Sequence, residues 1–179
     1  MTTTTLDHAP SHSAGLGRIL QLVNDGLGRL ATPFAFFTRL YVSWQFLKSG
    51  YLKISSWDVT LGLFRDEYHV PVLPPELAAV VGTFGELAFP VLLVLGLFGR
   101  LGAVGLFAVN AMAVISYAHV LFSEGFEAAI GQHYLWGFML AMLAIYGPGG
   151  WSLDRVLGPR LGAGLGVEAG RPRVTPETS

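Results

Sequence analysis

Cysteine is absent from the 179 residues, which excludes a disulfide framework, a thiol nucleophile, a CxxC redox pair and thiolate-held iron or zinc within this chain. Any redox chemistry therefore needs a bound cofactor or a partner. Charge is scarce as well: Asp, Glu, Lys and Arg make up 13% of the residues, against about 25% in a soluble domain. A formal net charge of −1 offers no footprint for nucleic acid. Also missing are a His-Glu-x-x-His metal motif, a paired-carboxylate and histidine set, a phosphate loop and a Gly-x-Ser-x-Gly nucleophile turn. The opening, Met1 to Ser13, has neither the basic start nor the apolar core of a secretory signal, and residues 1–14 read as a disordered tail.

What remains is apolar. Hydrophobic residues make up 52% of the chain and the mean hydropathy is +0.53, the composition of a membrane protein. The 23 glycines point the same way, because small residues let membrane helices approach closely. From Gly15 to Ala31, Leu16, Leu20, Val23, Leu27 and Leu30 recur at helical spacing while Arg18, Gln21, Asp25 and Arg29 fall elsewhere, so residues 15–32 are expected to form an interfacial amphipathic helix. Longer apolar runs follow at Pro33–Ile54, Pro75–Phe98, Leu101–Phe122 and Gly131–Tyr146, the last short enough to begin a few residues earlier. Each is of spanning length. The expected architecture is an all-α, integral membrane four-helix bundle over residues 33–154, with a cytoplasmic tail at 155–179. The second and third runs, joined only by Gly99 and Arg100, form a tight antiparallel hairpin. The mixed connection Ser55–Pro74 is a candidate amphipathic surface segment, and Gly147-Pro148-Gly149-Gly150 stops the last helix.

With four spans, Arg18, Arg29, Arg39, Arg100, Arg155, Arg160, Arg171 and Arg173 gather on one side. Lys53 and Arg65 stand on the other, beside Asp58, Asp66, Glu67, Glu76, Glu124 and Glu127. Both termini are thus expected in the cytoplasm. Tyr51, Trp57 and Trp151 suit the headgroup belts.

Glu86 is the residue that most demands an explanation, because a carboxylate at membrane depth costs several kcal/mol unless it faces protein or water. Turning the helices at about 100° per residue puts Gly82, Glu86, Pro90 and Leu93 on one face. Arg39, Ser43, Phe46, Gly50 and Lys53 share a face of the first helix, with Lys48 nearly opposite and free to snorkel. On the third helix Asn110, Ala113, Val114 and Tyr117 align; on the fourth His133, Gly137, Leu140 and Ala144 do. Turned inward, these faces give an interior of Arg39, Lys53, Glu86, Asn110, Tyr117 and His133. Measured from the cytoplasmic end, Glu86 lies about 18 Å deep and Arg39 about 9 Å. Depth favours Gln45 or Lys48 as the neighbour of Glu86, face favours Arg39 or Lys53, and antiparallel lean brings Lys53 toward the carboxylate. Asn110 serves equally well as interhelical glue. His119 and His133 lie near the outer side, as axial haem ligands would, but helical phase sets His119 opposite the Asn110 face. His8, His12 and His69 read as solvated or local.

The first span with Arg39 and its Gly50-Tyr-Leu-Lys53 ending, the second with Glu86 followed by Leu95-Gly96-Leu-Phe-Gly-Arg100, and the exit Gly147-Pro-Gly-Gly-Trp-Ser-Leu-Asp154 together resemble the DoxX family of four-helix bacterial membrane proteins. The resemblance covers about Arg39 to Asp154. It implies a multi-pass protein of the bacterial cytoplasmic (inner) membrane, a redox-associated subunit in quinone-linked sulfur or oxidative-stress metabolism. Its partners would be the lipid bilayer and a soluble redox enzyme or another subunit. On that reading Glu86 is a proton acceptor, and Arg39, Lys53, Asn110, Tyr117 and His133 form the ligand site, with Lys53, Tyr117 and His133 bonding a quinone-like headgroup. Two other classes stay open: a small transporter or proton-conducting protein with Glu86 titrating and Arg39 as its gate, and a scaffold that docks soluble enzymes at the membrane.

Overall fold

A computed structural model describes residues 12–157, so the N-terminal residues 1–11 and most of the expected C-terminal tail, 158–179, lie outside it. Among the described residues all regular structure is helical: α1 (His12–Ser55), α2 (Trp57–Asp66), α3 (Pro75–Leu95), α4 (Gly99–Ser116), α5 (Ala118–Leu121) and α6 (Glu127–Tyr146). The second half of α1 packs along α3, α3 along α4, α4 along α6, and α6 returns to α1. That ring is the bundle. Its core joins Val42 and Phe46 of α1, Leu93 of α3, Ala103 and Leu106 of α4, and Leu140 and Leu143 of α6.

Three helices, α3, α4 and α6, are long and apolar enough to cross a membrane. The expected first span, Pro33–Ile54, lies inside α1 but does not join them on composition, because Arg39, Gln45 and Lys48 dilute its apolar run. Two of its polar residues, Arg39 and Ser43, are instead turned into the bundle and fully buried, while Lys48 is exposed. The outer surface is strongly apolar, with Phe84 66% and Phe138 65% exposed. Apolar surface on this scale exceeds what a water-soluble monomer shows and suits contact with lipid tails.

Residues 15–31 are helical as expected, but they continue into α1 without a break at Pro33 and are exposed on every side. The third run also differs from its reading. It divides at Tyr117 (φ −116°, ψ 22°) into α4 and α5, because the Ser116 carbonyl accepts the His69 amide at 2.8 Å instead of continuing a helical ladder. The last helix starts at Glu127, earlier than Gly131. The hairpin turns at Gly96–Phe98, with Gly99 and Arg100 already inside α4. Gly96 ends α3 at φ +65°, a left-handed conformation that glycine adopts without a Cβ penalty, and Leu97 closes the turn by donating to the Leu92 carbonyl at 3.0 Å.

The exit after α6 folds back onto this turn. Asp154 accepts the Phe98 amide at 2.8 Å and the Gly99 amide at 2.9 Å, placing a carboxylate on the N-terminus of α4 where the helix dipole favours it. Arg39 fastens the same corner from α1, donating to the Leu93 carbonyl at 3.3 Å and to the Trp151 carbonyl. The connection at the opposite end is ordered by α2, whose Phe64 packs on Ala78 and Ala79 while the Thr60 hydroxyl donates to the Lys53 carbonyl at 2.9 Å.

Candidate functional site

Lys53 and Glu86 are brought together. One ammonium nitrogen lies 2.7 Å from both carboxylate oxygens, and it also donates to Ser49 Oγ at 2.8 Å. The side chains are 15% and 9% exposed. Gly50 permits this approach: a Cβ there would stand 2.9 Å from Leu87 and 3.1 Å from Glu86 Cβ. Glu86 sits about 16 Å along α3 from Pro75, and Pro90, four residues on, lacks the N–H that would normally bond the Glu86 carbonyl. Depth and face pointed to different partners for this carboxylate; the end of α1 supplies Lys53, while Lys48 is exposed.

The pair lines a cavity of about 600 Å³ enclosed by α1, α2, α3, α4 and α6, with Tyr68, Tyr117, His133 and Trp136 among its other polar or aromatic walls. Most of the rest is aliphatic or phenylalanine, including Phe46, Phe89 and Val109. This size and composition match a small-molecule site, apolar with a few convergent polar groups.

Asn110 and His133 form a reciprocal couple. The Asn110 amide donates from Nδ2 to the His133 carbonyl at 3.0 Å, which fixes the orientation of the amide; its Oδ1 then faces His133 Nδ1 at 2.9 Å. An amide oxygen only accepts, so Nδ1 carries the proton and Nε2 of the neutral ring is the acceptor. Among the described residues Nε2 has no partner. Next to it on the same helical face, Trp136 stacks edge-on at 5.0 Å, and its indole N–H is buried without an acceptor among the described residues. The cavity wall thus carries an imidazole and an indole, each with a polar atom that has no partner among the described residues, beside an ion pair.

Of the sequence-predicted residues, Lys53, Glu86, Tyr117 and His133 line this cavity, and Asn110 supports it from behind through His133. Arg39 is not brought to this cavity. It shares a helical face with Lys53, but its guanidinium donates to the Leu93 and Trp151 carbonyls at the corner near the hairpin. His119 lies against His69, ring centroids 4.6 Å apart, and against Tyr117, not beside His133. Two residues were missed. Trp136 was readable, three positions after His133 on one face; Tyr68 was not, because it comes from the irregular connection. Burial, followed by the neighbouring Tyr117 and then Glu86 and Glu67, holds the Tyr68 phenol above its usual range, so it stays a hydrogen-bond donor at neutral pH.

No curated protein and no solved structure matches the chain significantly. The family model of DoxX matches residues 34–120, from the middle of α1 through α5. This region supplies Lys53, Glu86 and Tyr117, while His133, Trp136 and the Gly147–Asp154 exit lie beyond it. Over residues 34–120 the chain is similar to the DoxX family, and its apolar helices give it the character of a membrane protein.

Proposed function

We propose that the protein is a redox-associated subunit of the bacterial inner membrane that holds a quinone-like headgroup in the cavity beside Lys53 and Glu86. The observation that carries this reading is the Lys53–Glu86 pair beside His133 and Trp136 in the wall of one largely apolar cavity, with the Trp136 indole N–H and His133 Nε2 lacking partners among the described residues. A quinone supplies two-electron, two-proton chemistry when bound, and its oxygens alternate between accepting and donating hydrogen bonds. Trp136 and Tyr117 suit the carbonyl state, His133 Nε2 suits the hydroxyl state, and Glu86 is placed to take a proton while Lys53 keeps the carboxylate oriented. Electrons would pass to or from an associated oxidoreductase, since the chain has no thiol of its own.

All four bundle helices cross the bilayer on this reading, α1 with Arg39 and Lys53 turned inward and Lys48 snorkelling from the outer face, and the arginine-rich ends face the cytoplasm. The exposed first half of α1, continuous with that span, then projects on the cytoplasmic side as the docking surface for that enzyme. The test is organic extraction of the purified protein with Glu86→Gln alongside. Co-extracted quinone from the parent, and a folded, inserted variant with reduced quinone-dependent turnover in membranes, support the proposal. A parent that yields no quinone, or a variant with unchanged turnover, rejects it.

A further inference from the structure

The cavity has a mouth, and the mouth faces lipid. Near the hairpin, α3 and α4 touch closely: the Phe89 ring covers Gly105, and a Cβ on Gly102 would stand 3.2 Å from the Leu93 amide nitrogen. Toward the other end, Val81 and Phe84 of α3 and Ala108 and Met112 of α4 line the cavity, yet they also belong to the outer surface of the bundle. Val81 is 50% exposed, Phe84 66% and Met112 40%. Residues that wall a cavity and also stand on the outside mark its opening. Those positions fall within two of the apolar, membrane-length helices, so the opening meets hydrocarbon instead of water. Above it, Tyr68, Val70, Leu73 and Leu121 roof the cavity on the side of the connection.

Charge narrows the occupant. The cavity walls hold one cation, Lys53, and one anion, Glu86, and they neutralise each other at 2.7 Å. A phosphate headgroup would need a cation left over. The buried Trp136 N–H has no acceptor among the described residues.

We propose that a neutral, lipid-soluble molecule with a carbonyl-type headgroup enters this cavity sideways from the bilayer, between α3 and α4, leaving its tail in the gap walled by Val81, Phe84, Ala108 and Met112. The inference rests on the cavity reading above and narrows it to a substrate borne by the membrane.

Fluorescence of Trp136 tests it. The full chain carrying Trp44→Phe, Trp57→Phe and Trp151→Phe is placed in nanodiscs doped with diacylglycerol brominated on its tails, with phosphatidylglycerol brominated in the same way, or with decyl-ubiquinone. Brominated diacylglycerol is expected to quench Trp136 saturably, and Ala108→Phe or Val81→Phe to raise the half-saturating fraction at least tenfold. Quenching unmoved by both substitutions overturns the lateral entry, and equal quenching by brominated phosphatidylglycerol overturns the neutral headgroup. Diacylglycerol quenching without decyl-ubiquinone quenching sinks the quinone assignment alone and leaves the portal standing. If the triple replacement fails to fold, a diazirine-tailed diacylglycerol is photolysed on the unaltered chain: adducts within residues 78–89 and 105–117 support the portal, and adducts only elsewhere overturn it.

Discussion

Removing one partner from the Lys53–Glu86 pair should cost very different amounts depending on which is removed. A buried pair broken on one side typically loses about 3–5 kcal/mol, because the remaining charge is stranded. Here the two side chains are 15% and 9% exposed, and Lys53 lies in the last turn of α1, which ends at Ser55. After Glu86→Gln the ammonium keeps Ser49 and can snorkel toward the nearby interface, so the expected loss is about 1–2 kcal/mol. After Lys53→Met the carboxylate stays about 16 Å along α3 with no cation in reach, and the expected loss is about 3–4 kcal/mol. The double variant, with no charge left to strand, should resemble Glu86→Gln alone, giving a coupling of about 3–4 kcal/mol. Reversible unfolding in mixed micelles, followed by circular dichroism across a denaturing-detergent series, measures all four species. Single losses that add within about 0.5 kcal/mol, or a Lys53→Met variant no weaker than Glu86→Gln, would refute the claim that the pair is a coupled, buried unit.

Arg39→Met should lower stability by about 3–5 kcal/mol, since two charge-assisted bonds to the Leu93 and Trp151 carbonyls are lost together, while ligand binding in the folded fraction stays unchanged; a binding defect at parental stability would return Arg39 to the site. Arg39→Lys should not restore it, because one ammonium cannot replace the planar fork across both carbonyls. Gly105→Ala should cost about 1–3 kcal/mol by driving a methyl into the Phe89 ring, whereas Gly28→Ala, with nothing within 4 Å, should be neutral or gain up to about 1 kcal/mol; thermal melts that fail to separate the two contradict the close α3–α4 contact. Because the chain has no cysteine, Gly62→Cys and Leu165→Cys can each be labelled cleanly, and an impermeant maleimide should reach the first only from outside the cell and the second only from inside; the reverse at either position overturns the topology.

How much could be read from the sequence turns on what a helical wheel contains. It gives a face, and the faces hold: Arg39, Ser43, Phe46 and Gly50 are buried together on α1, as are Glu86, Pro90 and Leu93 on α3. The wheel says nothing of height along the bundle, so Arg39 and Lys53, on one face but about 21 Å apart along the axis, seemed to share an interior that the fold divides into a structural corner and a cavity. The partner of Glu86 remained open for a related reason, since pairing depends on where the next helix crosses and not on either helix alone. The break at Tyr117 had no local signal either: no proline or glycine interrupts Leu106–Leu121, and the helix yields because His69, distant in sequence, takes the Ser116 carbonyl. At the hairpin the sequence put the turn at Gly99 and Arg100, whereas α3 stops at Gly96 because Asp154, from beyond the last helix, caps the amides of Phe98 and Gly99 and so starts α4 there. The break at Tyr117 and the stop at Gly96 are therefore caused by contacts from far along the chain. The same kind of contact makes the site, where the end of α1, the middle of α3 and the start of α6 supply Lys53, Glu86 and His133 to a cavity that none of these helices could form alone.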